Sequence, residues 1–447
     1  MFEFFTNTKE KVPAYADFLL QNRSTEIKEW EDIPLSDKQN YLLKYPMKSL
    51  AKEDISHAFL IGTSSGFSKS GSVFWLKEAV DEKAYLEAVK ALLIADYEID
   101  KKKTLIIVSL AFGTWVGGIQ LASTLRNLAA SMDEVTIATP GLNIKEAVEI
   151  CKEFGEFYET ILWVVNPSSI NLIYPMLQNE KTLLDGKIFF PVVGEYFSEN
   201  FREEIALKFG HTKENPFVLK TGYGSADAGD LGIESLETIA LRKFLNNKHK
   251  ICQKLFSQDE APMIFIKNEK TFIETIDGEL VVTKDQFIPL IRYNTKDNGG
   301  VLKKEQLKEY IESSLYEKLP DTILYVFGRA SNNIIFYGTN LNVTQIGDFL
   351  SSLQTKEYAG LFELSETKEE GVSFFEFTIY VQNVESSSSE FYLKSMLNFL
   401  KKRSNEFAFK YQELSKSMGE DLIRVQLKDI EELQIDKKHK YIRESHV

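Results

Sequence analysis

The chain has 447 residues, long enough for two or more domains with a large buried core. Its composition, 43% hydrophobic and 27% charged, is that of an ordinary globular protein and excludes a mainly disordered chain. The net charge of −13 argues against a protein whose main task is binding nucleic acid, because neutralising phosphates takes a basic footprint.

Cys151 and Cys252 are too few for a disulfide framework, and no Cys/His spacing has the form of a structural zinc site, so a reducing compartment is expected. The opening Met1-Phe2-Glu3-Phe4-Phe5 lacks the basic start and continuous apolar core of a signal peptide. The longest apolar run, around 105–112, is far short of a membrane span. A cytoplasmic location is expected.

The segment to about Lys52 is mixed helical and polar. Asp32-Ile33-Pro34-Leu35-Ser36 followed by Asp37-Lys38 predicts a helix start capped by Ser36, in a segment lying across the front of a large domain. A hydroxyl-rich loop follows, Gly62-Thr63-Ser64-Ser65-Gly66-Phe67-Ser68-Lys69-Ser70-Gly71, between predicted strands at 58–61 and 72–75. Its backbone N–H groups, hydroxyls and single ammonium suit a polyphosphate; a polar hairpin turn is the alternative. It is not a Walker A motif, which needs glycine where Ser68 stands.

From Thr104 the apolar runs 105–110, 134–138, 160–165 and 187–193 predict strands, and the segments 115–132, 144–154 and 198–209 between them have helical spacing. Such alternation argues for α/β layers around a largely parallel sheet. The run Tyr223-Gly224-Ser225-Ala226-Asp227-Ala228-Gly229 then sets an aromatic face, a flexible turn and a carboxylate within five residues. That suits a nucleotide base beside a hard divalent cation, with a core tyrosine as the alternative for Tyr223. Short runs at 263–266, 272–276 and 279–283 predict an antiparallel subdomain. After Arg329, predicted strands at 334–337, 374–381 and 422–427 with a helix at 391–407 make a small α+β domain of about 120 residues, dividing the chain into 1–328 and 329–447. Ser386-Ser387-Ser388-Ser389 is a polar loop, there is no internal repeat, and His57, His211, His249 and His446 look structural or exposed.

The hydroxyl-rich loop resembles the phosphate loop of the adenylate-forming enzymes, Ser/Thr-Ser-Gly-Thr-Thr-Gly-Lys-Pro, followed much later by Tyr-Gly-x-x-Glu. Ser64, Ser65 and Gly66 match, Lys69 stands one place early, and Asp227 occupies the acidic position. In the same order follow Gly278-Glu279-Leu280-Val281-Val282-Thr283, then Pro289-Leu290-Ile291-Arg292-Tyr293-Asn294-Thr295-Lys296-Asp297, Phe327-Gly328-Arg329, Gly338 and a terminal lysine cluster. Pro-x-Ile-Arg-Tyr-x-Thr-x-Asp, with Val12-Pro13-Ala14-Tyr15 near the start, is most similar to the phenylacetate-CoA ligase branch. The resemblance spans nearly the whole chain. It implies a large N-terminal domain of parallel α/β layers plus an antiparallel β subdomain, and a small mobile α+β C-terminal domain.

It also implies roles. Ser64, Ser65, Gly66, Ser68 and Lys69 would cradle the β- and γ-phosphates of ATP, and Asp227 would ligate Mg²⁺ with a carboxylate one methylene shorter than the usual glutamate. Tyr223, Gly224 and Ser225, with the Gly194-Glu195 turn, would hold adenine. Asp297 would accept both ribose hydroxyls with Arg329 beside it; a turn at 297–300 and a surface arginine are the alternatives. Lys440, in Asp436-Lys437-Lys438-His439-Lys440, would bind the attacking carboxylate and the α-phosphate, with Lys438 the second candidate and a solvated basic tail the alternative. Ser331 takes the hinge position. Gly338 would line a pantetheine tunnel. Phe112, Trp115 and Gly117 would wall an aromatic or short acyl acid, unless the two aromatics are core residues. The implied activity joins a carboxylic acid to a thiol through an acyl-adenylate, with CoA the default acceptor. Transfer to the phosphopantetheine of an acyl carrier protein or to a protein cysteine, and a non-catalytic nucleotide-binding homologue, are the alternatives.

Overall fold

The computed structural model describes the chain apart from residues 23–26, 64–73, 111, 113–115, 330–332, 337–338, 354, 356, 370–371, 404–406, 409–410, 413–414, 416–420, 434–441 and 444–447. The chain opens with α1 (Phe2–Lys11) and α2 (Pro13–Gln21), the latter begun by Pro13, whose missing N–H costs nothing in a first turn. Helix α2 buries Ala14, Tyr15, Phe18 and Leu19 in the main core. The predicted cap at Ser36 is corrected. Asp37 caps the turn over Lys38–Leu42, its carboxylate accepting the N–H groups of Gln39 and Asn40 at 2.8 and 2.7 Å. Ser36 instead joins residues 292–294: its N–H donates to Arg292 O at 3.1 Å and its carbonyl accepts from Asn294 N–H at 2.7 Å.

After α3 (Met47–Leu50), strands β1 (Leu60–Thr63) and β2 (Phe74–Lys77) pair antiparallel on either side of the hydroxyl-rich loop, shifted about two residues from the predicted strands. The loop residues Ser64, Ser65, Gly66, Ser68 and Lys69 lie outside the described residues. Helix α4 (Ala79–Tyr97) has no counterpart among the predicted elements, because its apolar residues are spread around its circumference and give no stripe.

The alternating region keeps the predicted order: β3 (Thr104–Ser109), α5 (Val116–Ala130), β4 (Val135–Ala138), α6 (Ile144–Phe154), β5 (Thr160–Val165), α7 (Pro167–Leu177), β6 (Ile188–Val192), α8 (Glu199–Lys208) and β7 (Leu219–Ser225), of which α7 and β7 have no counterpart among the predicted elements. These strands are parallel, in the order β4-β3-β5-β6-β7. Strands β3 and β5 are buried along their whole length, as their continuous apolar runs require with helices on both faces.

Next come β8 (Gly229–Ile233), α9 (Leu236–Leu245), α10 (His249–Phe256), β9 (Met263–Lys267), β10 (Phe272–Ile276), β11 (Glu279–Lys284), β12 (Leu290–Lys303), α11 (Ser313–Tyr316) and β13 (Thr322–Arg329). The antiparallel strands extend the parallel ones edge to edge through the β7–β8 pair. Among the described residues, one 11-stranded sheet runs β10-β11-β12-β13-β9-β8-β7-β6-β5-β3-β4. Residues 297–300 do not turn; they continue β12. A Cβ on Gly299 would lie 2.4 Å from the Tyr325 carbonyl, and one on Gly300 2.4 Å from Thr275 Oγ1, so the neighbouring strands come close only because these positions are glycine.

The remaining elements are β14 (Asn333–Phe336), β15 (Thr339–Asn342), α12 (Val343–Ser352), β16 (Tyr358–Glu369), β17 (Val372–Val381), α13 (Ser389–Arg403), β18 (Ile423–Asp429) and β19 (Ile442–Arg443). They build a four-stranded sheet, β18-β17-β16-β19, over a core of its own that includes Ile346, Phe362, Phe377, Met396 and Ile423. No helix among the described residues is long and apolar enough to cross a membrane.

Candidate functional site

In an open sheet of parallel strands, ligands bind in the crevice beyond the carboxyl ends of the strands. Several candidates stand there. Phe112 follows β3, Gly194 and Glu195 follow β6, and Tyr223, Gly224 and Ser225 end β7. Strand β7 is fixed from beneath by a buried ionic network. Arg202 of α8 donates to Glu234 at 2.6 Å and to Glu199 at 3.1 Å, and also to the carbonyl of Leu219. Glu234 accepts the Thr221 N–H at 3.0 Å, and Arg242 pairs with Glu199 at 3.1 Å. Burial alone would push the Glu199 carboxyl up, but Arg202 and Arg242 outweigh it and hold it below the usual range.

The run from Tyr223 to Gly229 is a tight hairpin in which Ser225 faces Gly229 across the β7–β8 ladder. A Cβ on Gly224 would meet the Gly229 carbonyl at 2.5 Å, and Gly229 itself has φ of +67°, so both positions call for glycine. The Ser225 hydroxyl accepts the Ala228 N–H at 3.0 Å and closes the tip on which Asp227 stands.

Two crossed tyrosine–aspartate hydrogen bonds tie this tip to β12. The Tyr223 hydroxyl donates to Oδ2 of Asp297 at 2.6 Å, and the Tyr293 hydroxyl donates to Oδ2 of Asp227 at 2.6 Å. Tyr293 and Asp297 are buried, whereas Tyr223 and Asp227 are half-buried. A phenol donating to a carboxylate fixes the direction of that carboxylate. The tip is held further by Gln286, which donates to the Asp227 carbonyl at 2.8 Å, and by Lys284, which donates to the Ala228 and Asp230 carbonyls at 2.7 and 3.0 Å. The Tyr223 ring stacks on Phe265 at 5.7 Å between centroids, so a base stacked on Tyr223 would use its opposite face.

The structure thus brings Tyr223, Asp227 and Asp297 together, and adds Tyr293, which sequence reasoning quoted within a motif without giving it a role. Arg292 in the same motif turns the other way. It is buried with φ of +43°, and its guanidinium donates to the carbonyls of Trp30, Glu31 and Ile33 at 3.3, 2.7 and 2.8 Å, clamping the N-terminal segment to β12. Arg329 stands opposite Asp297 in the β12–β13 register. Gly194 is exposed with φ of +83°, next to the Val193 carbonyl that accepts from Asn166 at 2.8 Å.

Phe112 is half-buried and joins the core between β3, α4 and α5, where a Cβ on Gly141 would lie 3.3 Å from its ring. Gly117, in the first turn of α5, is exposed with no atom within 4 Å of an added Cβ. Trp115, Ser331, Gly338, Lys438 and Lys440 lie outside the described residues. Among the histidines, His57 is exposed beside Glu53 at 3.2 Å, His249 is exposed with its Nδ1 2.8 Å from the Asp259 carbonyl, and His211 sits half-buried with Nε2 2.7 Å from the Ile188 carbonyl. All three are satisfied locally.

Among the described residues no group of three or more His, Cys, Asp or Glu side chains could hold a metal ion. A lone carboxylate on a rigid tip fits Mg²⁺, which takes one or two carboxylates and fills its octahedron with substrate phosphates and water. Asp227 meets that condition, with Tyr293 setting the direction of its carboxylate.

No protein-family model matches the chain, and no curated protein matches it. Solved structures do. A 2-hydroxyisobutyryl-CoA ligase in the postadenylation state, in complex with R3-HIB-AMP, superposes with a TM-score of 0.65 at 12% identity over 98% of this chain and 87% of that one. The same ligase in an open conformation with 2-HIB-AMP and CoA gives 0.52 at 13% identity over 98% and 89%. The acyl acid amido synthetase AtGH3.15 in complex with 2,4-DB gives 0.59 at 9% identity over 99% and 91%. The chain has the fold of the adenylate-forming enzymes.

Proposed function

We propose that the chain activates a carboxylic acid with ATP and passes the acyl group to a thiol, as an AMP-forming ligase similar to the phenylacetate-CoA ligases. The carboxylate attacks the α-phosphorus, forming an acyl-adenylate and releasing pyrophosphate; a thiol then attacks the acyl carbon and releases AMP. The observation that supports this most is the crossed pairing of Tyr223 with Asp297 and Tyr293 with Asp227, which gathers two distant motifs where the parallel strands end. The fold is shared with a ligase solved with an acyl-AMP.

In-line attack requires a fixed nucleotide, neutralised phosphates and exclusion of water. Asp297, oriented by the Tyr223 phenol, accepts the ribose hydroxyls in this proposal, with Arg329 beside it. Asp227 would hold Mg²⁺, which when bound would neutralise phosphate charge. Tyr223, Gly224 and Ser225 with the Gly194-Glu195 turn take adenine, and Ser64, Ser65, Gly66, Ser68 and Lys69 take the outer phosphates. Lys440, or Lys438 in its place, cancels charge at the α-phosphate. Phe112, Trp115 and Gly117 wall a compact aromatic or short acyl group. The part from 329 onward closes over the site about Ser331, and the separate core over β16–β18 supports treating it as a unit. The proposed acceptor is CoA, then a carrier-protein phosphopantetheine, and the proposed location is the cytoplasm.

The test is acid-dependent pyrophosphate exchange with ATP and Mg²⁺ across aryl, arylacetic and fatty acids, with CoA, acyl carrier protein or no acceptor. Because an amido synthetase shares the fold, amines belong in the acceptor panel. Exchange with any acid establishes adenylation, and AMP release that needs CoA identifies the acceptor. ATP binding with no exchange across the whole panel overturns the ligase reading in favour of a non-catalytic nucleotide binder.

A further inference from the structure

Two ammonium groups meet beside the hairpin tip, outside the tyrosine–aspartate pairs. Lys77 ends β2, the strand that follows the hydroxyl-rich loop, and Lys284 ends β11. A Cβ added to Gly229 would lie 3.3 Å from Nζ of Lys284 and 3.4 Å from Nζ of Lys77, so both nitrogens reach the same point beside the Gly229 backbone.

Neighbouring carboxylates do not cancel the pair. Among the described residues neither nitrogen forms an ion pair, and Asp81, Glu82 and Asp230 act on them only from a distance. Glu82 is engaged by Gln120 at 2.9 Å, Asp230 by Asn268 at 3.0 Å, and Asp81 is exposed. Lys284 spends two N–H groups on the Ala228 and Asp230 carbonyls, and an ammonium has three. The Lys77 ammonium makes no hydrogen bond among the described residues; its carbonyl accepts from Phe59 N–H at 2.8 Å. Burial and the neighbouring Lys77 push Lys284 down to about 8 against the pull of Asp230 and Asp81, and burial lowers Lys77 against that of Asp81 and Glu82. Gly229 keeps a side chain out of the space between them.

We propose that Lys77 and Lys284 form an anion subsite for a polyphosphate group, filled either by the outer phosphates of a nucleoside triphosphate or by free pyrophosphate. Its place in the reaction rests on the ligase reading; its existence does not. An anion between two half-buried cations gains charge-assisted hydrogen bonds from both and relieves their repulsion.

The experiment titrates inorganic pyrophosphate, tripolyphosphate and AMP separately into the full chain by calorimetry, for wild type, Lys77→Met and Lys77→Arg. Lys77→Met should weaken pyrophosphate and tripolyphosphate roughly tenfold or more, about 1.4 kcal/mol, and leave AMP unchanged, while Lys77→Arg retains binding. Unchanged pyrophosphate affinity in a Lys77→Met protein that melts like wild type overturns the subsite, as does an equal loss for AMP, or no pyrophosphate binding by wild type. If Lys77→Met does not fold, Lys77→Gln and Lys284→Gln carry the same comparison. Tighter binding of tripolyphosphate than pyrophosphate assigns the subsite to the triphosphate, and the reverse to the released product. Selective loss of pyrophosphate binding in a protein that shows no acid-dependent exchange leaves the subsite standing and removes the ligase reading.

Discussion

Tyr223 donates its phenolic hydrogen to Oδ2 of Asp297 across 2.6 Å, although 74 residues separate the two in sequence. The bond couples a base-stacking candidate to a ribose-binding candidate, so each can be altered while the other is read. Tyr223→Phe keeps the ring and removes the donor. A hydrogen bond to a charged group contributes about 1.5–3 kcal/mol, so the KM for ATP should rise roughly tenfold or more with kcat little changed. Asp297→Asn should lose the preference for ATP over 2′-deoxy-ATP. Retention of that preference in Asp297→Asn would show that the carboxylate is not on the ribose.

The partner bond makes Tyr293 a positioning residue for Asp227. Tyr293→Phe should move the Mg²⁺ concentration needed for half-maximal exchange upward, roughly tenfold, with the maximal rate at saturating Mg²⁺ nearly restored. Mn²⁺ binding followed by its paramagnetic signal should weaken in parallel, without reference to turnover. An unshifted metal titration would leave Tyr293 as packing only.

A pH dependence is built into the contact between the C-terminal part and the large domain. Glu260 accepts from Arg403 at 2.9 Å, and Arg403 also donates to Gln345 at 3.0 Å. Burial and the Asp348 carboxylate, with a smaller push from Asp259, move Glu260 up to about 7 against the pull of Arg403 and Gln345. Burial moves Asp348 up to about 6 against a Ser198 hydrogen bond, Arg242 and Arg403. With both carboxyl groups raised, the docked arrangement binds more protons than the separated one. Its stabilisation is fully present below the ordinary carboxylate range, about pH 4, and is lost as pH rises through 6 to 7. Hydrogen exchange in α12, corrected for intrinsic rates, should be slower at pH 5.5 than at pH 8, and Glu260→Gln should flatten the difference. Faster corrected exchange at the lower pH would reverse the assigned sign.

The network beneath β7 predicts a stability effect. Glu234 is fully buried against Arg202, and Glu234→Ala leaves a buried guanidinium with one fewer anion. Breaking such a pair costs about 3–5 kcal/mol, so the urea midpoint should fall, with amides of β7 losing protection. A midpoint equal to wild type would mean that Glu199 alone compensates Arg202.

For Lys440, alanine substitution should abolish adenylation while ATP binding stays nearly intact, and Lys438→Ala should have the smaller effect. The reverse order assigns the chemistry to Lys438.

The sequence by itself determined the strands β3 to β6 of the parallel half and the helices α5, α6 and α8. In the parallel half each buried strand is a continuous apolar run and each helix is flanked by turn residues, so 144–154 and 160–165 coincide with α6 and β5. It also marked the hairpin at 223–229, where the glycines at 224 and 229 are set by the local backbone, and it singled out the carboxylates at 227 and 297 as candidates. Helix α4 was illegible because its pattern has no stripe. What only the tertiary structure decided is which motif residues meet. Tyr293 and Asp227, Lys77 and Lys284, and Glu260 and Asp348 are each brought together by strand pairing or helix docking across long stretches of chain, and neither propensity nor periodicity encodes a contact between side chains whose proximity depends on how the sheet twists and which faces pack.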